Sequence, residues 1–250
     1  MKKSAIIIQA RLGSTRLPGK VLMPLAGRPV IEHVCRRVAR SKFVDNVIVA
    51  TTMLAQDDQI EAWCKANNIK VFRGSESDLL DRYYNAMMHF DLDVVVRITA
   101  DCPLIDPDII DTVIYSRELT GSDACWLSGE FPDGLDCQVF TIGAIEKAWK
   151  CAELKSDREH VGPYIENNRG GGFLLNKVEL FSYMKDLRLT LDEQSDYVFL
   201  TKLFDKCADS DGEIELSKVF ELLRAKPDLL SINQHIPRNE GYSKSVNEDI

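Results

Sequence analysis

The sequence lacks the features that mark membrane proteins and nucleic-acid-binding proteins. Its 250 residues contain no apolar run long enough to cross a bilayer, and the apolar stretch at residues 5–8 is too short for the core of a signal peptide. A formal net charge of -8 opposes broad binding to nucleic acid or to anionic membranes, because those partners reward an excess of Lys and Arg. We therefore expect partners that are neither nucleic acid nor membrane, and any phosphate binding to be local.

The seven cysteines also lack the pattern of a disulfide framework or of a structural zinc site. Their number is odd, they are scattered along the chain, and no two of them form a CxxC pair. Such cysteines usually behave as small buried apolar residues in a reducing compartment. The sequence therefore predicts a cytoplasmic location.

Short β-branched runs alternate with amphipathic stretches of helical length through the first half of the chain. This alternation predicts an α/β fold with a mostly parallel sheet flanked by helices. After residue 122, Gly-rich loops separate shorter runs, which indicates a small extension with a mixed, partly antiparallel sheet. We expect a single domain over residues 1–250, because no internal repeat or low-complexity linker divides the chain.

The element boundaries follow from the same periodicities and from flanking turn residues. The predicted strands are residues 5–9, 46–51, 70–72, 93–98, 124–127, 137–141, 172–176 and 187–191. The predicted helices are residues 30–38, 57–67, 79–90, 107–115, 142–151, 158–167, 195–207 and 214–225, with Asp106 as the cap of the helix that begins at Pro107. The polar tail after residue 237 is expected to be mobile.

The most informative segment is the loop at residues 9–20, with the sequence QARLGSTRLPGK, which follows the first predicted strand. It combines the cations Arg11, Arg16 and Lys20 with hydroxyl residues that include Ser14, and with glycines that include Gly13. Backbone N–H groups, hydroxyls and cations together can bind a triphosphate at the carboxyl end of a parallel strand. The segment is neither a GxxxxGK[ST] loop nor a GxGxxG loop. A solvated basic surface loop is the alternative interpretation.

Two aspartates follow predicted strands and are candidates for a metal site. Asp101 comes after the strand that ends at Ile98, and Asp192 comes after the predicted strand at residues 187–191. Mg²⁺ prefers hard oxygen ligands and usually keeps phosphate oxygens and water as the other ligands. A turn or a helix N-terminus explains either residue as well, because carboxylates are favoured there.

Two further pairs are candidates for substrate binding. Asp136 and Gln138 share one face of a predicted strand, which suits the recognition of sugar hydroxyls, although ordinary hairpin chemistry predicts the same residues. The second pair is Glu159 and His160. Of the four histidines, His160 has the neighbours that best suit a position beside a substrate, Arg158 and Glu159. No Ser-His-Asp or Cys-His pairing is indicated by the spacing.

The chain resembles the CMP-sugar synthetases, which activate sugar acids. Its opening loop ARLGSTRLPGK is similar to their phosphate-binding signature, and VRITADCPLID is similar to the strand that carries their metal-binding aspartate. Closer still is the spore-coat polysaccharide biosynthesis branch, which the chain resembles in RGSESDLLDRYY, FPDGLDCQVF, REHVGPYI and LTLDEQSDY. Gln9 and Gln138 depart from the family, because Pro and Glu respectively are commoner at these positions.

The resemblance implies a Rossmann-like nucleotide-binding fold, transfer of CMP from CTP to a sugar or sugar acid, and a homodimer. It divides the domain into a nucleotide-binding half, residues 1–120, and a sugar-binding and dimerisation half, residues 121–250. The catalytic residues that it implies are Arg11, Arg16, Lys20 and Asp101. The nucleotide-binding residues that it implies are Ala10, Arg11, Gly13, Ser14, Arg16, Lys20, Arg73, Ser75 and Thr99.

The same resemblance gives the cofactor as Mg²⁺ held by Asp101 and Asp192. From their own chemistry, Asp136, Gln138, Glu159 and His160 are predicted to bind the substrate. The loop indicates phosphates and not a base, so an enzyme that uses GTP, UTP or ATP is an alternative. A noncatalytic nucleotide-sugar binding protein and a metal-dependent glycosyltransferase are the alternatives from other functional classes.

Overall fold

A computed structural model describes residues 3–44 and 46–249 of the chain. The strands are β1 (Ser4–Gln9), β2 (Pro24–Leu25), β3 (Arg28–Pro29), β4 (Val47–Thr52), β5 (Lys70–Gly74), β6 (Val94–Thr99), β7 (Ala124–Ser128), β8 (Gln138–Thr141) and β9 (Leu175–Glu179). The α-helices are α1 (Val30–Val38), α2 (Asp58–Ala66), α3 (Leu79–His89), α4 (Pro107–Thr120), α5 (Ile142–Cys151), α6 (Lys155–His160), α7 (Pro163–Glu166), α8 (Gln194–Cys207), α9 (Leu216–Ala225) and α10 (Glu240–Asn247).

Seven of these strands form one mostly parallel sheet in the order β5-β4-β1-β6-β8-β7-β9. Strands β5, β4, β1 and β6 are parallel, β8 is antiparallel to both of its neighbours, and β9 is parallel to β7. Strands β2 and β3 form a small separate antiparallel pair. The predicted α/β fold with a mixed extension is therefore confirmed.

Each face of the sheet buries its own apolar layer, because side chains alternate along every strand. Ile6 and Ile8 contribute to the layer that also contains α1, α4 and α8, whereas Ala5 and Ile7 contribute to the layer that contains α3 and α5. All four of these strand residues are fully buried. Parallel strands with both faces covered leave only their ends open to a ligand. We therefore expect the site at the ends of the strands.

The two ends of α4, the helix that follows β6, are determined by the local sequence. Asp106 accepts hydrogen bonds from the backbone N–H groups of Asp108 and Ile109, so it caps the helix as predicted. The helix continues beyond the predicted end at residue 115 and ends at Gly121, whose φ of 63° suits a glycine.

The predicted strand at residues 187–191 is wrong. The segment is extended, but its only β-pairing among the described residues is the isolated bridge between Arg188 and Asp133. The N–H of Leu189 donates to the carbonyl of Asp133, and the N–H of Leu191 donates to the carbonyl of Asp101. The backbone of this segment therefore joins two loops instead of extending the sheet.

Two other predicted elements differ because of local backbone conformation. The predicted helix at residues 158–167 is divided into α6 and α7, since Val161 has a φ of 62° that a helix cannot contain. The predicted strand at residues 172–176 begins only at Leu175, because residues 170–172 are three glycines with positive φ.

The tail after residue 237, which is predicted to be mobile, contains a helix. Residues 240–247 form α10, which packs beside α6 and contributes to the cavity described below. Within the parts of the chain that the structure describes, no helix combines the length and the apolar character needed to cross a membrane.

Candidate active site

One cavity of about 530 Å³ lies at the carboxyl ends of β1 and β6. Its size is within the range of ordinary small-molecule sites. The predicted site residues that line it are Ala10, Arg11, Gly13, Ser14, Arg16, Lys20, Thr99, Asp101, Glu159, His160 and Asp192. The fold therefore brings together residues from the opening loop, from the end of β6, from the start of α8 and from α6.

The loop between β1 and Lys20 is held in shape by its own backbone and by a buried carboxylate. The N–H of Leu12 donates to Asp57, which is fully buried, and the carbonyl of Leu12 accepts from the N–H of Gly19. Gly19 has a φ of 73°, a left-handed conformation that favours glycine. The hydroxyl of Ser14 accepts a hydrogen bond from the N–H of Leu17, a residue whose side chain is buried. These contacts fix the curvature of the loop around the cavity.

Lys20 is the centre of the charged part of the cavity. Its Nζ lies 2.5 Å from Asp101 Oδ2 and 2.8 Å from Asp192 Oδ1, and only about a tenth of its side chain is exposed. Burial alone would lower the pKa of the Lys20 ammonium, but the two carboxylates raise that pKa above its ordinary value. The ammonium therefore stays charged and bridges two carboxylates from opposite halves of the chain.

Asp192 has two further cationic neighbours. Arg16 Nη2 lies 3.1 Å from Asp192 Oδ1, and Arg188 Nη2 lies 2.8 Å from Asp192 Oδ2. Burial by itself would raise the pKa of the Asp192 carboxyl. The charges of Lys20, Arg16 and Arg188 outweigh burial and lower that pKa to about 2. Asp192 is therefore an anion at neutral pH.

The alternative interpretation of Asp192 as a helix cap does not fit its contacts. Glu193 is the N-cap of α8, and the Asp196 carboxylate accepts from the backbone N–H groups of both Asp192 and Glu193. The carboxylate of Asp192 faces Lys20 and Arg188 instead. The helix end is thus satisfied by other residues, which leaves Asp192 available to the cavity.

Asp101 and Asp192 fit a divalent cation that is shared with a substrate. Both carboxylates already hold one cation, the Lys20 ammonium, within 2.8 Å. Across the described residues there is no cluster of three or more His, Cys, Asp or Glu side chains that would hold a metal by itself. Two carboxylates completed by phosphate oxygens and water are the arrangement that Mg²⁺ commonly takes.

Another part of the cavity is lined by residues of α6 and α10. The hydroxyl of Ser245, on α10, donates to Glu159 Oε2 at 2.5 Å and lies 3.0 Å from His160 Nε2. Burial, and then the charge of Arg97, lower the pKa of His160 to about 4. His160 is therefore uncharged at neutral pH, in a setting that suits hydroxyl groups.

Arg73 and Ser75 lie outside the lining of this cavity, although they were predicted to bind nucleotide. The guanidinium of Arg73 contacts Asp58, Glu61 and two backbone carbonyls, so its donors are already used to join β5 to α2. The hydroxyl of Ser75 accepts from the N–H of Asp78 ahead of α3. We therefore do not include these two residues in the site.

Asp136 and Gln138 also lie outside the cavity lining, although they were predicted to bind substrate. Gln138 accepts a hydrogen bond from Arg97 and donates one to Glu166, so both ends of its amide have a protein partner. Asp136 accepts from the N–H of Gly134 and is near Arg238. Both side chains join structural elements in this form of the protein.

Arg188 is a further residue that contacts the candidate site, and it is absent from the residues predicted above. Its side chain is only 5% exposed and its guanidinium pairs with Asp133, Asp192 and Asp196 at distances of 2.7 to 3.0 Å. The signal was the alternation of Arg188, Thr190 and Asp192 along one side of an extended segment. That alternation places the cation and the carboxylate on the same side.

Comparison with protein families gives one match that spans nearly the whole chain. A sequence model of the cytidylyltransferase family matches residues 5–234. The match includes every predicted site residue that lines the cavity and ends before α10.

Individual relatives agree with this family. An uncharacterised protein of Methanocaldococcus jannaschii is 39% identical over 94% of this chain and 96% of its own length. The spore coat polysaccharide biosynthesis protein SpsF of Bacillus subtilis is 32% identical over 91% of this chain and 97% of its own length. The solved structure of a cytidylyltransferase from Leptospira borgpetersenii has a TM-score of 0.87 at 33% identity, and covers 95% of this chain and 100% of that one.

Proposed function

This chain belongs to the cytidylyltransferase family, and we propose that it transfers CMP from CTP to a sugar or sugar acid, with release of pyrophosphate, for the synthesis of a surface polysaccharide or another glycan. The observation that carries the proposal is the position of Lys20 between Asp101 and Asp192, at the end of a loop with two further arginines. A site with cations for a triphosphate and carboxylates for a divalent metal suits nucleotidyl transfer.

In the proposed reaction an oxygen of the acceptor attacks the α-phosphate of CTP in line. A bond forms between that oxygen and the α-phosphorus as the bond from the α-phosphorus to the bridging oxygen breaks, pyrophosphate leaves with the electron pair, and the proton of a hydroxyl acceptor passes to solvent water. Arg11, Arg16 and Lys20 bind the β- and γ-phosphates and stabilise the charge that develops on the leaving group. No covalent intermediate with the enzyme is required.

Asp101 and Asp192 are the residues that would hold Mg²⁺. Bound there, the ion supplies charge neutralisation at the α-phosphate and orients the reacting oxygens. Arg188 holds the Asp192 carboxylate in place from its buried side, and Lys20 holds both carboxylates near each other in the free protein. The chain itself therefore organises the two carboxylates.

For the acceptor we propose the part of the cavity that contains Glu159, His160 and Ser245. A carboxylate, an uncharged imidazole and a hydroxyl together provide donors and acceptors for sugar hydroxyls. The name of the Bacillus subtilis relative supports a role in polysaccharide synthesis.

The experiment is pyrophosphate release from CTP and Mg²⁺ with a panel of sugar acids and sugar phosphates. We expect release that depends on the acceptor, and a loss of about 10²- to 10³-fold in Arg16→Ala and Asp101→Ala, as for other preorganised charges. A thermal-shift comparison of CTP, GTP, UTP and ATP tests the base, because a saturating ligand stabilises the protein by mass action. Near-normal rates in both variants, or binding of CTP without pyrophosphate release for any acceptor, would contradict the proposal.

We also propose a homodimer formed through residues 121–250, in the cytoplasm. Support for the dimer comes from exposed apolar side chains in that half, including Leu174, Leu180 and Tyr183. Support for the location comes from seven cysteines that are all free, six of them buried. Sedimentation velocity of the purified protein tests the dimer, and a monomer at micromolar concentration would contradict it.

A further inference from the structure

The C-terminal helix α10 contributes a wall to the cavity but lies outside the region shared with the family. Gly241, Lys244, Ser245 and the adjacent Glu248 line the cavity, whereas the family match ends at residue 234. The family match therefore does not include this wall or its contact with the loop of residues 9–20.

The helix is held by polar contacts and by perpendicular packing of the Tyr242 ring against the His160 ring, with the centroids 5.3 Å apart. Ser245 is its only buried residue within the described structure, and Val246 is 38% exposed. At eight residues α10 is shorter than the roughly 12 to 15 residues at which isolated helices become stable in water. Elements with little buried apolar surface open at low cost, so α10 is poised to leave its position.

One of those contacts uses a residue of the proposed phosphate site. Glu240 Oε2 lies 3.0 Å from Arg16 Nη1, while Arg16 Nη2 contacts Asp192. The Arg16 guanidinium thus faces two carboxylates in the free protein. A triphosphate at Arg16 must compete with the Glu240 carboxylate, and it would repel that carboxylate if both stayed at the same guanidinium.

The remaining anchors of α10 lie on the acceptor side. Ser245 bonds to Glu159 and His160, Lys155 pairs with Glu248, and the N–H of Ser156 donates to Asp249 at 2.9 Å. Release of the Glu240 end therefore loosens the same helix that covers the proposed acceptor site.

We propose that Glu240 is a determinant of nucleotide binding: it occupies Arg16 in the free enzyme, and a bound triphosphate displaces it and frees α10 from the acceptor side. The inference rests on the proposed function, because it requires a triphosphate at Arg16. It makes nucleotide binding the event that opens the acceptor site, so that CTP binds first and the acceptor second.

The first test is the affinity for CTP with Mg²⁺, measured by calorimetry in the wild type and in Glu240→Gln. Because exposed ion pairs are weak, we expect the variant to bind CTP about two- to fivefold more tightly. Glu130→Gln is the matched control, since Glu130 is similarly exposed, pairs with Lys185 at 3.4 Å and does not line the cavity. Its affinity should equal that of the wild type. Equal affinities in Glu240→Gln and the wild type would overturn the inference.

The second test is hydrogen–deuterium exchange of the wild type with and without CTP and Mg²⁺. We expect CTP to slow exchange in residues 10–20 and to speed exchange several-fold in residues 239–249. Slower exchange in residues 10–20 with unchanged or slower exchange in residues 239–249 would overturn the inference and leave the proposed function intact. No effect of CTP on residues 10–20 would overturn the proposed function and the inference together.

Discussion

The ammonium of Lys20 and the carboxylate of Asp192 lie 2.8 Å apart although 172 positions separate them in the chain. The same ammonium contacts Asp101, so a single buried cation joins the opening loop to both candidate metal ligands. In the proposed function, the charge balance at this point controls the binding of the triphosphate and of the metal. The predictions below concern this contact and the residues that support it.

Replacement of Lys20 by methionine removes the cation but keeps most of the side-chain volume. We expect pyrophosphate release to fall by about 10²- to 10³-fold, because one preorganised charge is lost from the phosphate site. Lys42→Met is the matched control, since Lys42 is 76% exposed and pairs with Asp108 at the surface. A rate for Lys20→Met within tenfold of the wild-type rate would show that Lys20 does not act on the reacting phosphates.

Arg188→Met should destabilise the protein more than any exposed ion-pair variant. It leaves Asp133, Asp192 and Asp196 without their common buried cation, and breaking a buried pair typically costs about 3 to 5 kcal/mol. Urea unfolding measures the change in the free energy of unfolding. Arg36→Met, at a 41% exposed side chain paired with Glu213, should cost less than about 1 kcal/mol. Similar costs for the two variants would contradict the structural role of Arg188.

Gly134→Ala should displace the segment that leads to Asp192. Gly134 has a φ of 98°, and a Cβ there would lie 2.6 Å from the carbonyl carbon of Leu189 and 2.6 Å from the nitrogen of Thr190. We expect the free energy of unfolding to fall by about 2 kcal/mol or more and activity to be lost, because both clashes are with backbone atoms. Gly143→Ala in α5 is the control, since its Cβ meets nothing within 4 Å. A fully active Gly134→Ala variant would show that displacement of this segment does not affect Asp192.

His160 gives a prediction for the pH dependence of stability. Its pKa in the folded protein is about 4, below the ordinary value of 6.5, so folding favours the uncharged ring. The resulting stabilisation is complete above pH 6.5 and is lost as the pH falls toward 4. Between pH 7.5 and pH 5 the free energy of unfolding of the wild type should therefore fall by about 1 to 2 kcal/mol more than that of His160→Gln, as measured by urea unfolding. Equal losses of unfolding free energy in the two proteins would show that folding does not lower the pKa of His160.

The fold could be predicted from the sequence because its periodic signals are local. The helix α1 begins and ends at the predicted residues, and β1 extends only one residue beyond the prediction. Continuous burial of residues 5–8 in β1 and a 3.6-residue period in α1 both follow from one apolar layer on each face of the sheet. Asp101 could be placed for the same reason, since it follows a buried strand.

The parts that could not be predicted depend on contacts between distant polar residues. The segment at residues 187–191 has the alternating polar and apolar residues of a strand, but its backbone forms hydrogen bonds with loops. Its Arg188 pairs with three carboxylates. The contact between Glu240 of α10 and Arg16 spans 224 positions. No local pattern encodes such pairs, so only the folded chain reveals them.

The most direct test of the central claim is a crystal structure of the enzyme with CTP and Mg²⁺. The account predicts the triphosphate along residues 10–20, in contact with Arg11, Arg16 and Lys20, and a metal bound by Asp101 and Asp192 together with a phosphate oxygen. CTP bound away from this loop, or a bound triphosphate with no metal at the two aspartates, would contradict it.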